Sequence, residues 1–306
     1  MSTLSLSPMT LGCLSFGSRL DEDAARAVVD AALDAGVTSF DTADAYGVGA
    51  SEEILGRVLA GRRDEVVIAT KFGMTMEGQN GDETARSSPA YIRRAVEASL
   101  RRLGVDRIDL YQWHTPDRVT PFADTIGALT QLVDAGLVGA IGVSNLTGAE
   151  LSEALAAADA YGFERFVTTQ NDYSLYHRGA EDDLAEVCLR EGVGLMPYFP
   201  LAQGLLGGAY QRGKMPPPGS RLSRHPERLV GADWDLIETL EAHAADLGMT
   251  LPEMALGYLA ARHEVESVVV GATTPEQVAA DAEAVDTPLP DEAAATLAAL
   301  PRGDRR

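Results

Sequence analysis

Short apolar runs recur along this sequence, and a segment with helical periodicity follows most of them. The runs are rich in Val, Ile and Leu and lack polar alternation, which is typical of strands buried on both faces of a parallel sheet. They occupy residues 11–17, 37–42, 65–73, 108–114, 138–145, 166–172, 194–200 and 266–272. Eight such units without a break in composition predict a (β/α)8, or TIM, barrel as one domain over residues 1–306.

The segments between the runs carry helix start and stop signals. Ser88 before Pro-Ala predicts an N-cap, and Gly104 predicts the end of the same helix. The alternation is interrupted once, by a Gly-, Pro- and Arg-rich loop over about 205–232, a length that usually marks a functional or disordered segment. Extra helices are predicted after strand 7, over 233–248, and at the C-terminus, over 291–300. A doubly wound nucleotide-binding fold is the competing architecture, but no G-x-G-x-x-G follows any strand.

The charge balance limits the kinds of partner. The 46 acidic and 25 basic residues give a net charge of −21, which argues against nucleic acid and against anionic membrane surfaces. Cys13 and Cys188 are distant in sequence, so neither a disulfide framework nor a zinc site is indicated. Without a signal-peptide pattern or a long apolar run, we expect a cytoplasmic protein, either a monomer or a small homo-oligomer.

Polar or titratable residues stand at the ends of most predicted strands. Each alone fits a structural role, such as a loop cap, a salt bridge or a satisfied histidine. Their recurrence at one end of successive strands favours a shared cavity, since active sites of these barrels lie at the carboxyl ends. The residues at these ends are Gly12, Cys13, Asp41, Lys71, His114, Ser144, Asn145, Gln170, Tyr198 and Gly271, with Tyr46 in the loop after Asp41.

Asp41, Tyr46, Lys71 and His114 together are typical of a proton-donating site. A free phenol has a pKa of about 10, and a nearby ammonium lowers that value toward a useful range. A carboxylate keeps the ammonium charged, and an imidazole can orient a carbonyl oxygen. The sequence has no serine or cysteine nucleophile paired with a base and no metal-ligand cluster, so these four residues fit the donation of a proton to a carbonyl oxygen. The hydride for such a reduction would have to come from a cofactor, since no side chain can supply it.

Several long motifs in order resemble those of the aldo-keto reductases, from about Leu11 to Asp281. DTADAYG with VGASEEILGRVL (41–59) resembles the first family signature, and SLRRLGVDRIDLYQWHTPD (99–117) the second. GVSN (142–145), QNDYSL (170–175) and YFPLAQGLLGGAY (198–210) resemble the cofactor-side motifs.

The resemblance implies a role for each matching residue. Tyr46 would be the general acid, Lys71 would lower its pKa, Asp41 would pair with Lys71, and His114 would orient the carbonyl. Ser144, Asn145 and Gln170 would hold the nicotinamide carboxamide, and Tyr198 would stack on the ring. Other cofactor contacts would come from Gly12, Cys13, Asp41, Leu201, Gln203, Gly204, Leu205, Gly271, Thr273, Gln277 and Asp281.

The resemblance implies NADP(H) as preferred cofactor, with NAD(H) possible. Members often carry a cation at the position of Thr273 or Gln277 and Asn at that of Asp281, and this chain departs from both patterns. Arg212, Lys214 or Arg221 of the long loop would be alternative partners for a 2′-phosphate.

The expected activity is NAD(P)H-dependent reduction of an aldehyde or ketone, with a small carbonyl compound as partner. Two alternatives stay open: a cofactor-binding regulatory partner resembling potassium-channel β subunits, and an isomerase or lyase that uses Lys71 as a Schiff base. The substrate wall is predicted to include Phe16, Met74, Trp113 and Tyr173, with residues 76–86 as a covering segment.

Overall fold

Eight parallel strands form the central sheet. The computed structural model describes residues 4–75, 85–218, 220–224 and 226–303. The strands are β1 Met9–Gly12, β2 Ser39–Asp41, β3 Val67–Phe72, β4 Ile108–Trp113, β5 Val138–Ser144, β6 Thr168–Asp172, β7 Gly194–Tyr198 and β8 Val268–Val270. From β1 to β7 each strand pairs with the next in sequence, and β1 also pairs with β8. A bridge between Leu195 and Val265 brings β7 to the segment before β8, so the predicted TIM barrel is confirmed.

Helices surround the barrel. They are α1 Glu22–Asp34, α2 Ala50–Val58, α3 Pro89–Leu103, α4 Phe122–Asp134, α5 Gly148–Tyr161, α6 Leu184–Glu191, α7 Glu227–Val230, α8 Trp234–Asp246, α9 Leu251–Ala260, α10 Pro275–Val285 and α11 Asp291–Ala298. α9 packs beside α10 in the outer ring, and α8 packs on α9 as the predicted extra helix. Within the described ranges, none of these helices is both long and apolar enough to cross a membrane.

Local capping explains where the helices begin and end. The Ser88 side chain accepts a hydrogen bond from the Tyr91 N–H at the start of α3, and Pro89 occupies the first helical position. Gly104 ends α3 in the left-handed conformation, with φ of 65°. These positions are the ones that the sequence predicted.

Two segments differ from the sequence prediction. The first strand is Met9–Gly12 instead of 11–17, because the chain turns at once: the Phe16 N–H donates to the Cys13 carbonyl at 3.0 Å, and Gly17 has a φ of 74°. The 205–232 loop includes the single turn α7 and a small apolar cluster of its own, formed by Tyr210, Leu222 and Leu229.

The barrel interior has an apolar layer and a polar layer. Alternate residues of a strand face the same side, so Ala69 and Lys71 of β3 both point inward, as do Leu110 and Gln112 of β4. Ala69 and Leu110 pack with Met196 and Val269, against which the N-terminal residues Leu4 and Leu6 lie. Lys71 and Gln112 are paired in register one step nearer the carboxyl ends, where they begin the polar layer.

Candidate active site

Lys71 and Asp41 form an ion pair inside the barrel, where their side chains are 0% and 2% exposed. The Lys71 ammonium also donates to the Thr42 carbonyl at 2.9 Å and to the Tyr46 hydroxyl at 3.2 Å. Burial works to lower the pKa of Lys71, but the Asp41 carboxylate and the Tyr46 phenol outweigh it and raise that pKa. A Schiff-base lysine reacts as a neutral amine, so this charged Lys71 counts against an isomerase or lyase of that kind.

Tyr46 lies between the ammonium and the imidazole. The Lys71 Nζ is 4.9 Å from the centre of the Tyr46 ring, and this ring meets His114 edge-on with centres 5.9 Å apart. Burial raises the pKa of Tyr46, and the charge of Lys71 lowers it only in part, so the net shift is upward. Lys71 therefore lowers the pKa of Tyr46, as the resemblance implied, but by less than burial raises it. The phenol carries its proton at neutral pH.

His114 follows β4 directly and is neutral. The backbone N–H of His114 donates to the Phe72 carbonyl at 2.8 Å, which continues the strand pairing by one residue. Burial, with the charge of Lys71 as a second cause, lowers the pKa of His114 to about 3. The Nδ1 atom is buried and has no hydrogen-bond partner in the part of the chain that the structure describes. A neutral imidazole beside a phenol can hydrogen-bond a carbonyl oxygen without adding a charge.

We expect the His114 imidazole to stay uncharged from about pH 5 to about pH 8, because its pKa lies near 3. The measurement is an NMR titration of the imidazole C–H protons, with His114→Gln used to assign the signal among the five histidines. A His114 signal that moves with a midpoint near pH 6.5 would contradict this prediction, since that is the value of an exposed histidine.

Two glutamines tie the ion pair to the other strands. Gln112 and Gln170 each donate from Nε2 to the same Asp41 oxygen, Oδ1, at 3.0 Å. Gln112 was not among the residues singled out from the sequence. The sequence offers one signal for it, namely its position as a polar residue within the apolar run IDLYQWH. A polar side chain is costly to bury unless it is hydrogen-bonded, so a buried partner is expected. Asp41 thus holds one inward side chain from each of three other strands.

The same network extends to the cofactor-side candidates. The Ser144 hydroxyl donates to the Gln170 carbonyl at 2.6 Å, and Asn145 donates to the His114 carbonyl at 3.0 Å. The Tyr198 hydroxyl donates to Asn145 Oδ1 at 2.7 Å. Asn145 has a φ of 63°, a left-handed conformation that Asn tolerates better than most residues. One chain of contacts therefore joins all four catalytic candidates to Ser144, Asn145, Gln170 and Tyr198.

The turn after β7 has an unusual backbone. Left-handed φ angles there belong to Phe199 (53°), Ala202 (48°), Gln203 (59°) and Gly204 (107°). Such conformations are costly outside glycine and concentrate at functional sites. The Gly204 N–H donates to the Leu201 carbonyl at 2.8 Å and the Leu205 N–H to the Ala202 carbonyl at 3.2 Å, so these two donors are used within the turn.

The candidates after β8 lie apart from this network. The Thr273 N–H and hydroxyl both donate to Gln277 Oε1, at 2.8 and 3.0 Å. Burial raises the pKa of Asp281 to about 7. Gly271 is exposed directly after β8. No hydrogen bond in the described chain joins these residues to Asp41 or its partners.

The cations of the long loop, which the sequence suggested as partners for a 2′-phosphate, differ in whether another charge already pairs with them. Arg212 forms ion pairs with Asp235 and Glu238, both on α8, so its charge is already compensated. Lys214 is exposed, and the side chain of Arg221 lies outside what the structure describes.

Gly12 and Cys13 stand at the end of β1, where the Cys13 N–H donates to the Asp41 carbonyl at 2.8 Å. The Cys13 thiol is fully buried and burial raises its pKa well above the usual value, so it packs beside the ion pair as a neutral group. Among the residues that the structure describes, no three His, Cys, Asp or Glu side chains are grouped so as to hold a metal ion.

The predicted substrate wall is mostly wrong. Phe16, Trp113 and Tyr173 are at most 1% exposed and belong to the hydrophobic core. Trp113 follows the inward-facing Gln112 of β4, so its side chain points outward from the barrel. Met74, at 42%, is exposed as expected. Leu14 and Val48, missed from the sequence, are 42% and 52% exposed in the loops after β1 and β2. The proposed covering segment falls largely on residues 76–84, outside the described ranges.

Comparison with known proteins places this site in context. The sequence matches the model of the Aldo/keto reductase family over residues 8–301. It is 35% identical to the uncharacterized oxidoreductase YrpG of Bacillus subtilis (strain 168), across 94% of this chain and 90% of that protein. It is 32% identical to a probable voltage-gated potassium channel subunit beta of Arabidopsis thaliana, across 93% and 89%. It is 31% identical to the probable aldo-keto reductase 1 of Glycine max, across 88% and 78%.

Proposed function

Because this chain belongs to the aldo/keto reductase family, we propose that it is an NAD(P)H-dependent oxidoreductase that reduces an aldehyde or a ketone to an alcohol. The observation that carries the proposal is the contact between the Tyr46 hydroxyl and the charged Lys71, 3.2 Å apart, beside the neutral His114. This arrangement holds a proton where a carbonyl oxygen would receive it.

The side chains have separate tasks in such a reaction. The Tyr46 O–H donates its proton to the carbonyl oxygen, and the Lys71 ammonium stabilises the phenolate that remains. Asp41 keeps Lys71 charged and fixed. His114 supplies a neutral hydrogen bond that orients the carbonyl. The nicotinamide, when bound, supplies the hydride that no side chain can provide.

The residues near the network fit a nicotinamide ring and its carboxamide. Gln170 uses Nε2 for its hydrogen bonds in the described structure, which leaves Oε1 as an acceptor. Ser144 and Asn145 are held by Gln170, His114 and Tyr198, and the half-buried Tyr198 ring offers a face for stacking. The strained turn from Phe199 to Gly204 follows directly and is a candidate for the pyrophosphate.

Three exposed apolar side chains support a substrate with an apolar substituent. Leu14, Val48 and Met74 lie in the loops after β1, β2 and β3, at the same end of the barrel as Tyr46. Burying each against a ligand would contribute roughly 1–2 kcal/mol. We therefore propose carbonyl compounds with hydrocarbon or aromatic substituents rather than charged ones.

The test is a turnover assay on the purified protein with NADPH or NADH and a panel of aldehydes and ketones, followed by the loss of nicotinamide absorbance. We expect aromatic and long-chain aldehydes to react with a higher kcat/KM than charged carbonyls of similar size. Tight cofactor binding without turnover of any carbonyl would reject the proposed reaction while keeping the cofactor site.

For the cofactor, we propose that NADP(H) is preferred and NAD(H) is also accepted, on the family resemblance. Asp281→Asn should tighten NADPH binding and leave NADH binding unchanged, because it removes a carboxylate from the segment implied to meet the 2′-phosphate. The effect should be larger above pH 7 than below, since the carboxyl ionises with a pKa of about 7. Fluorescence titration of the protein with NADPH and with NADH, below and above pH 7, measures the two affinities and their pH dependence. Equal effects on NADPH and NADH would show that Asp281 does not meet the phosphate.

A regulatory role is the second candidate, and the similarity to the probable potassium channel subunit beta of Arabidopsis thaliana favours it. A protein of this kind would bind nicotinamide cofactor at the same site and associate with a membrane channel. Co-purification with a membrane protein, together with negligible turnover on the whole carbonyl panel, would support it over the reductase.

A further inference from the structure

Two buried carboxyl groups lie behind the strand that carries Lys71. Asp44 is 2% exposed and its N–H donates to the Lys71 carbonyl at 3.1 Å. Glu52 of α2 is fully buried. Asp44 precedes Tyr46 by two residues, so the backbone that fixes Asp44 also begins the turn that carries the phenol. Neither carboxyl belongs to the network around Asp41.

The hydrogen bonds in this cluster satisfy the Glu52 carboxylate but leave one oxygen of Asp44 without a partner. Glu52 accepts from the Thr70 hydroxyl at 2.6 Å and from the Arg102 guanidinium at 2.6 Å. In contrast, Asp44 Oδ1 is buried and has no hydrogen-bond partner within the described chain, and neither has the buried Tyr111 hydroxyl. Tyr111 is fixed in place by stacking on Phe72, with ring centres 4.9 Å apart. The cluster thus holds two carboxyls, one directly bound cation and two unpaired oxygens.

The groups around Asp44 favour its neutral form. Glu52 of α2 repels a second negative charge, while Arg102 of α3 and Lys71 of β3 attract it. Tyr111 of β4 faces Asp44 and Glu52, and Tyr91 of α3 faces Tyr111; neither phenol adds a positive charge. Burial first, and Glu52 second, raise the pKa of Asp44 to about 7 against the attraction of the two cations.

We propose that Asp44 is a positioning residue: its carboxyl stays protonated and neutral, which lets the turn that carries Tyr46 keep this side chain buried while the Asp44 N–H remains bonded to the Lys71 carbonyl. When the carboxyl O–H bond breaks, the proton goes to solvent and a carboxylate is left beside Glu52, in a buried site where burial and the Glu52 charge outweigh the attraction of Arg102, Lys71 and the Ala45 N–H. The turn then shifts to let this charge reach water, and Tyr46 leaves its place beside Lys71. The effect on turnover rests on the proposed reductase function, whereas the effects on stability and on the turn do not.

The first experiment compares the unfolding of the wild type and Asp44→Asn by urea from about pH 4 to about pH 8. The folded carboxyl binds its proton up to about pH 7 and the unfolded one up to its ordinary 3.8, so wild-type folding loses stability as pH rises through that window. Asn has no proton to lose. The ratio of the two unfolding constants should therefore change with pH, by up to about 10³-fold, and level off above about pH 7.

Glu53→Gln is the matched control, since it removes an exposed carboxyl from the next position of α2. The difference in free energy of unfolding between Glu53→Gln and the wild type should not change with pH across this window. A constant difference for Asp44→Asn would overturn the proposal, because Asp44 would then be ionised throughout. If Asp44→Asn does not fold, infrared spectra of Asp281→Asn decide, because this variant lacks the other buried carboxyl with a pKa of about 7: the carbonyl stretch of a buried protonated carboxyl should be present at about pH 6 and lost at about pH 9. Its absence at pH 6 would overturn the proposal equally.

The second experiment asks whether the ionisation moves Tyr46. Amide hydrogen exchange over residues 44–49 is compared between the wild type and Asp44→Asn at equal pH; the wild type should exchange faster above about pH 7 and equally below about pH 6. If the protein turns over carbonyls, kcat of the wild type should fall above about pH 7 while that of Asp44→Asn is maintained. Equal exchange at every pH, despite the expected stability difference, would show that Asp44 titrates without positioning the turn.

Discussion

Tyr46→Phe should lower kcat for the proposed carbonyl reduction by about 10²–10⁴, because it removes the hydroxyl proposed to donate a proton to the carbonyl oxygen while keeping the ring. The folded structure should remain, since within the described residues the Tyr46 hydroxyl has one hydrogen bond, from Lys71, and Lys71 keeps its contacts with Asp41 and Thr42. Cofactor affinity, measured by fluorescence titration, should change little because Tyr46 is assigned to the carbonyl.

Tyr161→Phe is the matched control, since Tyr161 ends α5 and is 66% exposed. It loses the same hydroxyl far from the network and should keep full activity. Normal turnover by Tyr46→Phe would remove Tyr46 from the role of proton donor. A joint loss of turnover and cofactor binding would mean that the substitution disturbs the site as a whole.

Asp41→Asn should destabilise the fold by about 3–5 kcal/mol, because it leaves a fully buried ammonium without its counter-charge. The asparagine keeps the shape of the side chain, so the loss reports charge and not packing. Urea unfolding at neutral pH measures it. Turnover should fall as well, since the pKa of Lys71 drops once the carboxylate that raises it is gone.

The double variant Asp41→Asn with Lys71→Met removes both charges and should be more stable than Asp41→Asn alone. Glu22→Gln provides the surface comparison: it breaks an exposed pair with Arg57, and the free energy of unfolding should change little. An Asp41→Asn protein no less stable than Glu22→Gln would show that Lys71 is uncharged or reached by water.

The strands and the polar strand ends could be predicted because both follow from local pattern. Unalternating apolar runs separate buried strands from amphipathic helices, and the carboxyl ends of parallel strands meet at one end of a barrel. Asp41, Lys71, His114 and Gln170 stand next to such runs, so their convergence follows from the fold. The first strand was misplaced because Gly12 and Gly17 both lie in its apolar run, and only tertiary pairing shows which of them ends the strand.

The substrate wall could not be predicted from residue type, because an aromatic side chain suits the core and a pocket equally. The two-residue period of a strand would have helped for Trp113, which follows the inward-facing Gln112 and must therefore point outward. Leu14 and Val48 give no sequence signal, since their exposure depends on how their loops leave the barrel. The cluster of Asp44, Glu52 and Tyr111 depends in the same way on three separate elements.

The Asp41 carboxylate obtains its partners from distant parts of the chain. Lys71, Gln112 and Gln170 lie 30, 71 and 129 residues away from it. Each of these contacts closes a large loop, whose entropy must be overcome before the contact forms. A chain that has only reached α4 during synthesis contains Asp41, Tyr46, Lys71 and His114, yet lacks the strand that carries Gln170. The complete network therefore cannot form before the sixth strand has joined the sheet, and its appearance reports that event.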